Sequence, residues 1–311
     1  MKKIFIFLTF FLISLNAITF EEAVINFEKK DYNLALEQFT LLSLNENTDA
    51  QYNLGLMNYK GLGTSINYEL AFFWYQEAAL NGNMQAQNNL AHMYFMGEGT
   101  KKNLDKSKYW YEESAKQGYA LAQLNIAMMY EKSINKEKLQ KAVYWYTKAA
   151  RQGVILAQNN LGTMYYLGLG IKKDFKKAFY WFKKAAYAND PVSQLNLGIM
   201  YFVGDYVKKD YKKAILWLEK SALAGNKSAQ LKLADIYKNG NVVNEDYKKA
   251  FDFYHMAATM HKSTKGMFYV GFFYYNGMGV KKDLHKAEIW IKRAELLGHK
   301  RAKNFLMLNE F

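Results

Sequence analysis

Residues 157–174 read Ala-Gln-Asn-Asn-Leu-Gly-Thr-Met-Tyr-Tyr-Leu-Gly-Leu-Gly-Ile-Lys-Lys-Asp, and residues 177–186 continue Lys-Ala-Phe-Tyr-Trp-Phe-Lys-Lys-Ala-Ala. The same string returns along the chain. Its tryptophans are Trp74, Trp110, Trp145, Trp181, Trp217 and Trp290, with Phe253 in the remaining slot, so the steps are 36, 35, 36, 36, 36 and 37 residues. A fixed period of this length is the signature of a repeat array, in which units that cannot bury their own apolar faces stack into a common core. Small residues keep the same register at Ala71, Ser107, Ala142, Ala178, Ala214, Ala250 and Ala287. They return seven residues later at Ala78, Ser114, Ala149, Ala185, Ser221, Ala257 and Ala294. Spacings of three, four and seven define one helix face, and small groups there let helices approach closely.

Each unit therefore reads as a helix A, for example Ser193 to Phe202, a loop, a helix B, for example Tyr211 to Ala224, and a short turn. Gly82, Gly118, Gly153, Gly225 and Gly298 stand where helix B must stop, a place that favours a left-handed residue, and Asn189 fills it in one copy. His261 does not suit it. That copy also holds the extra residue of the 37-residue step, so a distorted turn is expected near 259–265. The single proline, Pro191, follows Asp190 and fits the first position of a helix capped by that aspartate. The expected organisation is a degenerate leading unit at 18–48, seven repeats at 49–84, 85–120, 121–155, 156–191, 192–227, 228–264 and 265–300, and a capping helix at 301–311. The fold class is all-α, an α/α superhelical solenoid with Trp145, Trp181 and Trp217 largely buried.

Composition agrees with this reading and removes several chemistries. Half of the 311 residues are hydrophobic and 23% are charged, enough apolar surface for a packed core. No cysteine is present, which excludes a disulfide scaffold, a thiolate metal site and a cysteine nucleophile. Residues 1–17 read as a secretory signal, with Lys2 and Lys3 before the apolar run Ile4 to Leu15 and a cleavage site at Leu15-Asn16-Ala17. The expected location is therefore periplasmic or secreted. The formal charge is +14, but only three of the 42 cations are arginine, the residue that reads bases and phosphates in bidentate fashion. Nucleic acid is not an expected partner.

The recurring Ala-Gln, Leu-Gly, Tyr, Gly-x-Gly, Lys-Ala, Trp-Tyr and Lys-Ala-Ala pattern is similar to that of the Sel1-like repeat family, relatives of the tetratricopeptide repeats, over about four-fifths of the chain. The resemblance implies a right-handed superhelix of antiparallel helix pairs whose concave face, lined mainly by the A helices, binds other proteins. The secreted branch of that family carries a cysteine pair about each turn between repeats, at positions matching Ala150 and Gln158 here. The resemblance therefore leaves this chain to hold its turns by packing alone. The repeat at 121–155 also departs from the pattern, with Ser133 and Asn135 in place of Gly-x-Gly.

Weighed as chemistry, the remaining motifs are weak. The Gly-x-Gly pairs lack the third glycine of a dinucleotide fingerprint and the Gly-Lys-Ser/Thr of a P-loop. No cofactor is expected. The five histidines form no metal-binding helix motif, and no metal is expected either. No catalytic residue is assigned. Some secreted members of the family are described as β-lactamases, and Ser133/Lys136 with Tyr237/Asn239 formally resemble two elements of such a site. A β-lactamase-like or cell-wall-directed hydrolase is thus the alternative to a non-enzymatic exported scaffold that binds a protein or peptide.

Two surfaces carry the binding expectation. Nine residues after each small residue of helix A stand Tyr59, Phe95, Glu131, Tyr166, Phe202, Lys238 and Tyr275. The family's groove positions add Tyr52, Asn88, Leu124, Asn159, Leu195, Leu231 and Phe268, and His92 falls on the same helix face. Phe95, Tyr166 and Phe202 are expected to anchor the partner of a monomeric scaffold. Lysine pairs also recur, at 101/102, 172/173, 208/209 and 281/282 and within helix B at 176/177, 212/213 and 248/249. They read either as a solvated edge or as ridges steering the chain toward an acidic partner or an anionic envelope surface.

Overall fold

The structure, a computed structural model, describes residues 18–309; the secretory-signal reading of residues 1–17 lies outside them. Among the described residues there are seventeen α-helices and no strands. Two compact units meet in sequence at Val154 and Ile155. The first holds α1 (Phe20–Glu28), α2 (Tyr32–Leu44), α3 (Thr48–Lys60), α4 (Tyr68–Leu80), α5 (Met84–Met96), α6 (Leu104–Lys116), α7 (Ala120–Glu131) and α8 (Lys136–Arg151). The second holds α9 (Ile155–Leu167), α10 (Phe175–Tyr187), α11 (Pro191–Val203), α12 (Tyr211–Leu223), α13 (Lys227–Asn239), α14 (Tyr247–His261), α15 (Thr264–Asn276), α16 (Leu284–Leu296) and α17 (Lys300–Leu308). Within each unit every helix packs on the next in sequence, the arrangement of an α/α solenoid.

Local chemistry sets these boundaries. The seven B helices begin at Asn67, Asn103, Asn135, Asp174, Asp210, Asp246 and Asp283, whose side chains each accept a backbone N–H of the first turn. These N–H groups hold Asp174, Asp210 and Asp283 below the usual carboxylate range, with the ammonium three residues on as a further contribution. Asp190 caps α11 with Pro191 in its first turn. The turn after α14 is distorted as expected. The helix runs on to His261, and Lys262 takes the left-handed position at φ 48°.

The small residues close the core. Ala71, Ser107, Ala142, Ala178, Ala214, Ala250 and Ala287 are all fully buried. The tryptophans differ from one another. Trp145 and Trp217 are buried, the latter with the Tyr187 ring 5.2 Å away. Trp181 is only half-buried, which corrects the expectation for it. Beside it stand the edge of Tyr180 at 4.9 Å and the ammonium of Lys184 at 5.6 Å, and they leave part of the indole open.

A second correction concerns the turns between repeats, which are not held by packing alone. The buried glutamine at this register reaches back across the turn in four repeats: Gln87 donates to the Ala79 carbonyl, Gln123 to Ala115, Gln194 to Ala186 and Gln230 to Ala222. These carbonyls sit eight residues earlier, the same separation as Ala150 and Gln158. In the first unit the C-cap residue of the same repeat's B helix completes the pair. Asn81 donates to the Gln51 amide oxygen, Gln117 to Gln87 and Gln152 to Gln123. In the second unit the residue corresponding to Gln117 is Ala224, and the Gln194 amide oxygen is buried without a partner. An unsatisfied buried acceptor costs about 1–3 kcal/mol. Ala224→Gln is therefore expected to stabilise the chain by about 1 kcal/mol, read as a rise of a few degrees in melting temperature. A fall on that substitution would show that Gln194 is satisfied in another way.

Candidate functional site

Helices α3, α5 and α7 present successive A-helix faces in the first unit. Between α3 and α5 lies a hollow of about 300 Å³ lined by Leu56, Tyr59, Lys60, Tyr75, Asn88, Asn89 and His92. A second hollow, of about 140 Å³, is lined by residues of α5, α6 and α7 together with Lys132, and among them are His92, Phe95, Tyr111, Asn125 and Met128. His92 borders both, which puts it on the A-helix face as its register implied. Its Nδ1 lies 3.8 Å from the Glu98 carboxylate, which also accepts the Tyr59 hydroxyl at 2.9 Å. Burial first, and this hydrogen bond second, push the Tyr59 hydroxyl up to about 12, so it remains a donor at neutral pH.

In the second unit, Tyr166 lines a hollow of about 240 Å³ with Thr163, Leu167, Phe182, Asn196 and Ile199. Its hydroxyl donates to Asp205 at 2.7 Å, and burial with that contact raises it to about 12 as well. Glu98 and Asp205 both follow the helix-ending glycine in their loops, so the same lock recurs in each unit.

The remaining positions divide by burial. Leu124, Asn159 and Phe268 are buried, which takes them out of a partner's direct reach and corrects their placement on an open groove, while Asn88, also largely buried, still borders the first hollow. The cause is the helical step. A side chain one residue earlier on helix A points toward the neighbouring helices, where Asn159 accepts hydrogen bonds from Ser193 and Asn196 and Phe268 stacks on His299 at 4.8 Å. Leu195, Leu231 and Phe202 pack partly buried against the core, with the Phe202 ring 5.3 Å from Tyr211 and 4.6 Å from the Lys232 ammonium. Tyr52 is half-buried 6.0 Å from Tyr75. Glu131 accepts the Tyr146 hydroxyl, Lys238 lies over Tyr269 at 4.2 Å, and Tyr275 rests on Phe305 at 5.1 Å. Phe95 is half-open and flanked by the ammonium groups of Lys102 and Lys132. As for the serine element, the Ser133 hydroxyl accepts the Asn135 backbone N–H at 3.2 Å in the loop before α8.

Sequence reading passed over an asparagine row. Asn53, Asn89, Asn125, Asn160 and Asn196 occupy one register in five successive repeats, immediately after the positions chosen, and all are half-exposed. The repeated identity was the available signal. Asn89 is engaged with Asn88 and with the hydroxyls of Tyr52 and Tyr75. Asn125 donates one amide hydrogen to Asn88, and Asn196 one to Asn159. An amide carries a second N–H and a carbonyl oxygen besides, and Asn125 and Asn196 each line a hollow. Among the described residues no group of three or more His, Asp or Glu side chains could hold a metal ion, and no helix is long and apolar enough to cross a membrane.

Stacked helix pairs with lined hollows along their A-helix faces define the class of tandem-repeat scaffold. The Sel1 repeat model matches residues 48–83, 85–119, 120–154, 155–190, 191–226, 227–261 and 264–299, and the chain belongs to the Sel1 repeat family. Among solved structures it is similar to a protective antigen present in uropathogenic Escherichia coli strains and displaying an SLR fold, with 31% identity and a TM-score of 0.76. That match covers 89% of this chain and 60% of the antigen, so the chain spans about three fifths of the antigen's length. A Sel1 repeat protein from Oxalobacter formigenes is similar at 28% identity and a TM-score of 0.75, over 88% of this chain and 79% of that one. No curated protein matches the chain in sequence. The scaffold is of the kind suited to protein–protein interaction.

Proposed function

We propose that the chain is a non-enzymatic, exported scaffold that takes an extended peptide segment of a partner protein along its A-helix faces. The observation carrying this reading is the pairing, in each unit, of a half-exposed asparagine amide with an aromatic neighbour on one hollow: Asn125 with Phe95, and Asn196 with Tyr166. An amide that offers one donor and one acceptor matches the donor and acceptor of a peptide backbone, and the adjacent ring supplies apolar contact for a side chain. Repeats stacked on the order of 10 Å apart pass about three residues of extended chain per step. Within a unit, the asparagines of successive repeats that carry this row therefore meet backbone groups at a regular interval. Export is supported by Lys2, Lys3 and the Ile4 to Leu15 run, and by the likeness to a protein described as a protective antigen.

A displayed library of random peptides selected against the chain tests the proposal. Phe95→Ala and Asn125→Ala are each expected to weaken selected peptides by about tenfold or more, with melting temperature little changed for Phe95→Ala. Phe202→Ala, which thins the core edge, is expected to lower the melting temperature instead. Peptides that bind both groove variants as tightly as the native chain would overturn the assignment.

A further inference from the structure

The outer faces of two neighbouring B helices in the second unit stand apart from the A-helix site. On α10, Lys176, Lys177, Tyr180, Lys183, Lys184 and Tyr187 follow spacings of three, four and seven and are all exposed. Lys212, Lys213, Leu216, Lys220 and Leu223 repeat the pattern on α12, again all exposed. The apolar members stand far out of the surface: Tyr180 is 57%, Tyr187 66%, Leu216 49% and Leu223 71% accessible. The two stripes adjoin, because the Tyr187 ring of α10 reaches Trp217 of α12.

Most of the charge on this face is unpaired. Among the described residues Lys176, Lys183, Lys184, Lys212 and Lys220 form no ion pair, while Lys177 and Lys213 meet the capping Asp174 and Asp210. The same register carries acids on three other B helices, whereas on α8 and α16 it is basic, with Lys141 and Lys148 on the one and Lys286, Lys292 and Arg293 on the other. Glu69 and Glu77 stand there on α4, Glu112 and Glu113 on α6, and on α14 Asp252 takes the central place and pairs with Lys248 at 2.6 Å. α10 and α12 adjoin within one unit, so their lysines form a single patch.

We propose that the α10–α12 face docks on an anionic lipid bilayer. Charge complementarity names the sign of the partner, and the interleaving of apolar tips names its kind. Both helices interleave ammonium groups on flexible stems with Tyr or Leu side chains, and Glu219 is the acid at this register on α12. A bilayer interface accommodates the two together, with ammonium groups at the phosphates and the apolar tips at the acyl boundary. A soluble acidic polymer or acidic protein loop would neutralise the lysines and leave Tyr180, Tyr187, Leu216 and Leu223 in water.

Flotation of the chain with vesicles tests this, using phosphatidylcholine alone and phosphatidylcholine with about a third phosphatidylglycerol. Binding is expected only to the anionic vesicles and should weaken steeply with salt, since exposed charges are screened over about 10 Å at 0.1 M. Replacing Lys176, Lys183, Lys184 and Lys220 with glutamine is expected to lower partitioning by at least about tenfold. Tyr180→Ser with Leu216→Ser is expected to lower it as well while leaving the circular dichroism melt unchanged, because these side chains point away from the core. Absence of binding to anionic vesicles overturns the proposal. So does binding to soluble polyglutamate that matches the vesicles and ignores the serine substitutions, which would make the face a site for an acidic polypeptide.

Discussion

Trp217→Ala is expected to destabilise the chain by about 3–5 kcal/mol, with Trp181→Ala costing distinctly less. Only 6% of the Trp217 side chain reaches solvent. Its indole packs with Ala186 and Leu197 and with the partly buried rings of Phe179 and Tyr201. These residues belong to α10, α11 and α12, so the substitution opens a cavity at a junction of three helices, where none can close it without shifting against the others. The Trp181 indole, at the same register one repeat earlier, already borders solvent, and water takes the vacated place. Chemical denaturation of both variants checks the order. Equal losses would show that exposure at this register does not govern stability.

Gly99→Ala is expected to cost about 3 kcal/mol, against about 1 kcal/mol for Gly82→Ala. Both glycines have positive φ, 63° and 88°, so both variants carry left-handed strain. They differ in what a methyl group meets. At Gly82 nothing lies within 4 Å, whereas at Gly99 the new carbon would stand 2.1 Å from the backbone oxygen of Tyr68. A backbone carbonyl at the start of α4 cannot rotate aside as a side chain can. The loop and the preceding B helix must separate, and part of the packing between repeats goes with them. The second glycine of the Gly-x-Gly loop is thus a spacer between successive repeats. Similar melting temperatures for the two variants would contradict this.

Much of this architecture is written in the sequence because repetition multiplies each local signal. A single asparagine before an apolar run is weak evidence for a cap, but Asp174, Asp210, Asp246 and Asp283 at one period carry their own confirmation. The site was less legible, for a geometric reason. Consecutive residues on a helix differ by about 100° in direction, so an offset of one residue moves a position from open face to buried seam. Leu124 and Asn125 adjoin, and only packing tells that Leu124 is buried while Asn125 lines the hollow. The glutamine contacts were invisible for another reason. A buried glutamine declares no partner in sequence, and its acceptor is a backbone carbonyl whose identity as alanine says nothing of its role.

The most direct test of the A-helix assignment is to follow the side-chain amide resonances of Asn125 and Asn196 by NMR while a library-selected peptide is titrated in. The account predicts shifts at one or both of these amides, with the exposed ring of Tyr109 on α6 unaffected. Shifts confined to the outer faces of the B helices, with both asparagine amides unmoved at saturation, would contradict it.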